Sequence, residues 1–420
     1  MQRRTGFACV ASASLILVWF ALSNQWSSQW PESVDVHQPH GGGPAMRPDN
    51  VAAESVAGEQ LASHSPSIES WPPWAAWVFQ GRSPGMGLYG PSVSTLLEGL
   101  ESYGVTSVLT DGRSSCEVLE AAKQSMQDGT SVLMIAVGWM HTEGRSKGTL
   151  EGQCGYHKIL KTLSLLGAYT VLYTTEADWY FVAHALDVAR EVGARELWTH
   201  SRAPLQWFHN HSANKDYILR YVPPGCARMM DYNLSSHSSI TGVKKDLTTV
   251  AFLGNWHARR GEVRLSHLKA FDGNLKPVRR VGNPHEWQEY LEEFPLQINI
   301  HGGENKIIFE GLRASQLLTN WACVFSMPSH PEDEAMWREV VHFGTPAQLR
   351  EVYLSLQGNA KAIEDCQQRS HDLFCKKFKP EDLLRVSGFP MEILRQSSSK
   401  AAAPWWWGEF AAKARRLTLQ

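Results

Sequence analysis

Residues 296–327, LQINIHGGENKIIFEGLRASQLLTNWACVFSM, constrain the fold more than any other stretch. Leu296, Ile298 and Ile300 alternate as a strand does, and His301-Gly302-Gly303 makes a turn. The spacing then predicts a helix over 306–319 and a second strand over 322–326. Strand, helix and strand in that order form a βαβ unit, whose strands lie parallel and whose ligands gather at their carboxyl ends. Lys306, Glu310 and Arg313 fall at i, i+4 and i+7 on one face of the expected helix, with Ile308, Leu312 and Ser315 opposite. Polar groups are thereby presented beside a glycine turn, although Lys306 and Glu310 also read as a solvated ion pair worth only a few tenths of a kcal/mol.

The same rhythm runs through the chain on both sides. Strands are expected at 75–79, 105–110, 132–137, 170–174, 196–199 and 218–222, with helices at 93–103, 116–127, 157–166 and 180–192 between them. After these come a strand at 247–253, a βα step reaching 278–282, and an amphipathic helix over 284–294. The helices at 331–340, 346–357, 361–378 and 380–386 and a strand at 341–344 follow the central unit. A chain of 420 residues exceeds what one core organises. The expected fold class is therefore α/β, with two Rossmann-like parallel-sheet domains, 71–245 and 246–388, facing a cleft.

Two arginines at positions 3 and 4 precede residues 6–22, which carry no charge. That layout at 1–23 is a secretory signal or a type II anchor. Ala21-Leu22-Ser23 would serve as a cleavage site, and a short uncleaved span suits the thinner early secretory membranes. We expect an uncleaved single-pass anchor in the Golgi or ER membrane with a lumenal body. Residues 24–70 are rich in Ser, Gln, Pro, Gly and Ala and read as a flexible stem. The tail, 389–420, contains Trp405, Trp406, Trp407 and a basic end suited to docking on the body or a membrane surface. Cys116, Cys154, Cys226, Cys323, Cys366 and Cys375 form an even set on the oxidising side, whose pairing the spacing leaves open. Asn210-His211-Ser212 and Asn233-Leu234-Ser235 are glycosylation sequons. A net charge of −2 argues against nucleic acid as a partner.

Several short motifs could carry chemistry. Gly254 ends the strand at 247–253, and Asn255, Arg259 and Arg260 follow at the start of a helix, an arrangement suited to a diphosphate. The strand ends at Trp139-Met140-His141 and at Thr174-Thr175-Glu176-Ala177-Asp178 offer His141, Glu176 and Asp178 as general bases for an acceptor hydroxyl. Each of these three also reads as a helix cap or a solvated loop residue.

The order INIH, then Glu310 and Arg313 with two residues between them, then LLTN and VFS, resembles the donor domain of GT-B-type glycosyltransferases, in particular the group-1-like and CgeB-like kind. Members read roughly I-x-L-N-x-H, E-x-x-R, L-L-x-N and V-V-S-E. Trp198, Ser201 and Val222-Pro223-Pro224-Gly225 match further features of that group, as does the Gly254 turn. The resemblance covers about 169–356. It implies a metal-independent transferase that takes a nucleotide-sugar as substrate, needs no other cofactor, and acts on a glycan, protein or lipid acceptor. Glu310 would hold ribose or sugar hydroxyls. The diphosphate would lie at Gly254, Asn255 and the His301-Gly302-Gly303 loop, with Arg259, Arg260 or Arg313 offsetting its charge. Glu176 is the first choice of base, because the group carries a glutamate after this strand. The family's S-E is Ser326-Met327 here, so that acid is lost or replaced by Glu332, Asp333 or Glu334. No D-x-D triplet occurs, which fits the metal-free class.

Two other readings stay open. Gly85, Gly87 and Gly90 spell G-x-G-x-x-G with Asp111 about twenty residues on, the pattern of an NAD(P)-dependent oxidoreductase, although residues 80–84 separate the strand from the first glycine. Met327 in place of the acid is compatible with a catalytically degenerate, carbohydrate-binding relative.

Overall fold

Two all-parallel sheets with nearly the same winding organise the computed structural model, which describes residues 74–80, 90–111, 115–138, 156–175, 179–211, 213–232, 234, 241–254, 261–278, 284–301 and 307–389. The first sheet contains β1 (Trp74–Gln80), β2 (Thr106–Asp111), β3 (Ser131–Val137), β4 (Tyr169–Thr174), β5 (Glu196–Thr199) and β6 (Ile218–Tyr221). Its order is β2-β1-β3-β4-β5-β6. Helices α1 (Gly90–Ser102), α2 (Ser115–Gln127), α3 (Tyr156–Leu165), α4 (Trp179–Val192) and α5 (Arg202–Asn210) alternate with the strands. The second sheet contains β7 (Val250–Leu253), β8 (Leu275–Val278), β9 (Leu296–Asn299), β10 (Cys323–Ser326) and β11 (Val341–Phe343), in the order β11-β10-β9-β7-β8. With it run α6 (Gly261–Ala270), α7 (Pro284–Glu293), α8 (Gly311–Thr319), α9 (Pro331–Trp337), α10 (Pro346–Leu356), α11 (Ala360–Lys377) and α12 (Pro380–Val386).

In each sheet the first strand sends its connection one way, to β2 or β8, and the third strand lands on its other side, at β3 or β9. That reversal opens a crevice at the carboxyl ends of β1 and β3 and again at those of β7 and β9, where ligands of open parallel sheets bind. Strands β4, β5, β9 and β10 are buried throughout, as apolar strands covered on both faces must be. The described residues all belong to one compact unit.

The two sheets are tied together at both ends of the crossing. Gly225 follows the Pro223-Pro224 turn, and its N–H donates to Thr95 Oγ1 at 2.7 Å while its carbonyl accepts from Ser315 Oγ at 2.8 Å. A Cβ on Gly225 would lie 2.5 Å from the Phe378 carbonyl oxygen, so glycine is needed for this close approach. Returning from the second sheet, α12 packs on α1, and Leu384 and Phe389 enter the first sheet's core beside Trp198. Arg220 of β6 clamps that return by donating to the carbonyls of Ser387 and Gly388. Disulfides join Cys226 to Cys375 and Cys323 to Cys366, settling two pairings that the sequence left open.

Three expected elements differ from the structure, the first being the strand expected at 278–282, which runs over Leu275–Val278, with 279–282 outside the described residues. The helix expected over 306–319 begins at Gly311, with Glu310 as its N-cap residue. The preceding residues are extended because Ile308 is buried in the first sheet's core and Phe309 in the second's, and adjacent side chains point to opposite sides only in extended backbone. Glu310 therefore lies ahead of the helix that carries Arg313, and Lys306 lies outside the described residues. The strand expected over 247–253 begins at Val250. Ahead of it the Asp246 carboxylate accepts from the N–H groups of Thr248 and Thr249 and from the Thr248 hydroxyl, a local turn that competes with strand pairing. The expected anchor and stem, and the tail apart from Phe389, lie outside the described residues. Among the described residues, no helix is long and apolar enough to cross a membrane.

Candidate functional site

Strand β9 ends in the second-sheet crevice, and its polar face sets the site. Period two turns Leu296, Ile298 and Ile300 into one apolar core and leaves Gln297 and Asn299 opposite, both fully buried. Buried amides need partners. Gln297 accepts from Tyr290 Oη at 2.6 Å and donates to the Phe294 carbonyl. Asn299 instead accepts from Arg313 Nη1 at 2.7 Å and donates to Ser326 Oγ at 3.2 Å.

Arg313 lies in the first turn of α8. Its Nη2 makes a 2.6 Å ion pair with Glu310 Oε2, and its guanidinium lies 5.3 Å from the Phe252 ring centroid. Both ionic side chains keep partial exposure, 17% for Arg313 and 15% for Glu310. Gly254, just past β7, has φ +151°, and a Cβ there would sit 3.3 Å from Arg313 Nη2 and 3.0 Å from the Phe252 ring. Glycine thus lets the β7 turn approach the arginine. The result is a carboxylate, a guanidinium and an amide fixed between the ends of β7, β9 and β10.

The first sheet meets this network through the turn after β5. His200 is buried, and its Nδ1 lies 3.5 Å from the Thr174 carbonyl at the end of β4. Burial pulls its pKa down to about 4, partly offset by the Thr174 carbonyl, the Glu310 charge and the Phe309 carbonyl. The imidazole is accordingly neutral at pH 7 and lies between the carboxyl ends of both sheets. One residue on, Ser201 Oγ donates to Asp333 Oδ2 at 2.6 Å, and the Arg202 N–H donates to both Asp333 oxygens at 3.1 and 3.0 Å. Arg202 also pairs with Glu332 at 3.6 Å and lies over the Tyr221 ring, while Gln206 Oε1 is 3.0 Å from His330 Nε2. Burial raises the Asp333 pKa to about 6 against the opposing hydrogen bonds and the Arg202 charge.

Of the residues expected to bind a donor, Gly254, Glu310 and Arg313 are brought together, and His301 lies two residues past the end of β9. His301 is buried with Nε2 2.9 Å from Ser329 Oγ, so this nitrogen braces the loop after β10. Asn255, Arg259, Arg260, Gly302 and Gly303 lie outside the described residues, as do the expected bases His141, Glu176 and Asp178. Gly85 and Gly87 of the glycine-rich pattern lie outside them too, while Gly90 opens α1. The three acids offered as replacements for the missing one have separate tasks: Glu332 pairs with Arg202, Asp333 reaches α5, and Glu334 accepts from the Ser329 N–H at 2.6 Å. His200 escaped sequence reasoning, while Asn299 entered it only as a letter of the INIH motif and Asp333 only as one of three stand-ins for the missing acid, not as a cap of α5. Only Asn299 left a signal, as a polar residue on a strand that the burial pattern makes interior.

Among the described residues, Cys323, His342 and Cys366 place potential ligand atoms within 4.8 Å of one another. Their two sulfurs are joined to each other, so the oxidised cluster offers no thiolate to a metal.

No family model matches the chain, and no curated protein matches it. Solved structures do. A HepE protein of Anabaena, solved with UDP-glucose, is 9% identical with a TM-score of 0.47, covering 76% of this chain and 100% of its own. Sucrose-phosphate synthase of Thermosynechococcus elongatus is 11% identical with a TM-score of 0.47, covering 77% and 100%. An alpha-glucosyltransferase solved with UDP and a 13-mer DNA is 8% identical with a TM-score of 0.49, covering 77% and 100%. None of the three reaches a TM-score of 0.5, so none bears on what this chain does.

Proposed function

We propose that the chain is a glycosyltransferase of the two-sheet GT-B type that moves a sugar from a nucleotide-sugar to an acceptor. The observation that carries this reading is the Glu310–Arg313–Asn299 network at the crevice between β7 and β9, with Gly254 closing one side. A crevice at the carboxyl ends of a parallel sheet is where nucleotides bind, and a partly exposed carboxylate there accepts hydrogen bonds from ribose or sugar hydroxyls. Arg313 supplies a fixed positive charge for the diphosphate that accumulates as the sugar leaves. Gly254, and beyond the described residues Asn255, Arg259, Arg260, Gly302 and Gly303, are the proposed diphosphate contacts.

The acceptor, a glycan, protein or lipid, enters from the first sheet. Glu176, with His141 and Asp178 behind it, is proposed as the base that takes the acceptor proton; Glu176 directly follows the buried Thr174-Thr175 end of β4. The reaction is proposed to need no metal, on the absence of a D-x-D triplet. The setting is proposed to be the lumen of the ER or Golgi behind an N-terminal anchor, which the two disulfides of the body support, since such bonds persist in oxidising compartments.

Thermal melting of the protein with UDP, GDP, CMP, NAD and NADP, with and without EDTA, tests the reading, because a ligand that binds the native state raises the midpoint. The expected result is a rise with one nucleoside diphosphate that persists in EDTA and is lost in Glu310→Ala. A rise with NAD or NADP alone, or with none of the five, overturns it.

A further inference from the structure

Asp333 is a second-sheet residue whose carboxylate is consumed by first-sheet backbone. Helix α5 has Ser201 at its N-cap position, yet the Ser201 side chain caps nothing in its own helix. Its hydroxyl donates instead to Asp333, and the first helical N–H, of Arg202, donates to the same carboxylate. An N-terminal helix turn favours a negative charge, so Asp333 caps α5 in trans. Around it stand Tyr221 from β6, Arg202 from α5 with its partner Glu332, and His330 at the start of α9. The Thr199 hydroxyl donates to the Ser201 carbonyl at 2.8 Å, so the turn 199–202 is held as one piece. His200 is the residue in the middle of that piece, and its ring faces the Thr174 carbonyl on one side and the Phe309–Glu310 segment on the other.

We infer that Asp333 is a positioning residue for the transfer reaction: by fixing the turn 199–202 it holds the imidazole of His200 against Phe309 and Glu310, the residues that open α8 at the donor crevice. This inference rests on the proposed reading of that crevice as the donor site. The carboxylate touches no ligand itself and acts through His200. Burial of the ring between the two sheets keeps it uncharged, and release of the turn would let water reach it and restore its ordinary titration.

The test is the titration of His200 in the full chain, followed by NMR of labelled histidine rings and assigned by the signal lost in His200→Gln. In the unsubstituted protein the midpoint is expected near 4. Asp333→Ala should move it towards the ordinary 6.5, whereas Asp333→Asn, which keeps an oxygen to accept from the Arg202 N–H, should leave it near 4. Should Asp333→Ala fail to fold, Ser201→Ala takes its place and should raise the midpoint by a smaller amount. An unchanged His200 midpoint in whichever of the two folds overturns the inference, as does a midpoint in Asp333→Asn that rises as far as in Asp333→Ala. Nucleotide melting separates this failure from that of the functional reading. Glu310, Arg313 and Asn299 all belong to the second sheet, so Asp333→Ala should keep the nucleotide-induced rise and lose at least tenfold in turnover of the donor. If no nucleotide stabilises the unsubstituted protein, the functional reading falls and the assignment of Asp333 to transfer falls with it, while the titration still decides whether Asp333 sets His200.

Discussion

Glu196 of β5 shows how far one buried charge reaches. Fully inaccessible to solvent, it accepts from Tyr169 Oη at 2.5 Å and Trp198 Nε1 at 2.6 Å, and Arg220 Nε closes the cluster at 2.5 Å. Breaking such a pair from one side leaves an uncompensated buried charge. Arg220→Met is expected to cost about 3–5 kcal/mol in urea unfolding at pH 7, and it also frees the carbonyls of Ser387 and Gly388. Gly225→Ala is expected to cost about 1–3 kcal/mol by overpacking, because its Cβ meets the Phe378 carbonyl rather than a movable side chain. An equal stability for either variant would contradict these contacts. At this scale the sequence marked Gly254, Glu310 and Arg313 because their chemistry is local and their spacing short. It was silent on His200 and on the task of Asp333, which it offered only as a substitute acid, because the meaning of both comes from a partner more than a hundred positions away.

Among elements, the βαβ rhythm was legible because apolar alternation and helical spacing are properties of neighbouring residues. The start of α8 was misplaced for a reason that spacing does not encode, since the adjacent Ile308 and Phe309 serve two different cores. The same distinction applies to the disulfides. Cys226 and Cys375 are 149 residues apart and Cys323 and Cys366 are 43 apart, and nothing in the spacing pairs them. In the chain-entropy account the longer loop constrains the unfolded state more, by about 5 kcal/mol against about 4 kcal/mol. Cys226→Ser/Cys375→Ser should therefore lower the unfolding midpoint in guanidinium at least as much as Cys323→Ser/Cys366→Ser. A markedly smaller effect for the longer loop would show that native packing near Cys323, not loop closure, sets the cost.

Across the whole molecule, His200 and Asp333 answer acid in opposite directions. His200 has a folded pKa of about 4, below its ordinary 6.5, so its contribution to stability is full above pH 6.5 and is lost as pH falls through that interval. Asp333 has a folded pKa of about 6, above its ordinary 3.8, so its ionised form is disfavoured in the native state and stability is regained as pH falls from 6 towards 4. Each amounts to about 3 kcal/mol over its full window, and in the native protein they nearly offset. Relative to the native protein, Asp333→Asn should lose melting temperature between pH 6.5 and 4.5, and His200→Gln should gain it. Parallel curves for all three would refute the opposed titrations. By itself the sequence determined the parallel α/β class, the crevice strand and the acid–base pair at the start of α8, because hydrophobic period, turn residues and short spacing act over a few positions. Only the tertiary structure decided which cysteines join, where α8 begins, and that an aspartate of one sheet caps a helix of the other. Those outcomes depend on which distant surfaces share a core, and burial is fixed only when the chain has closed on itself.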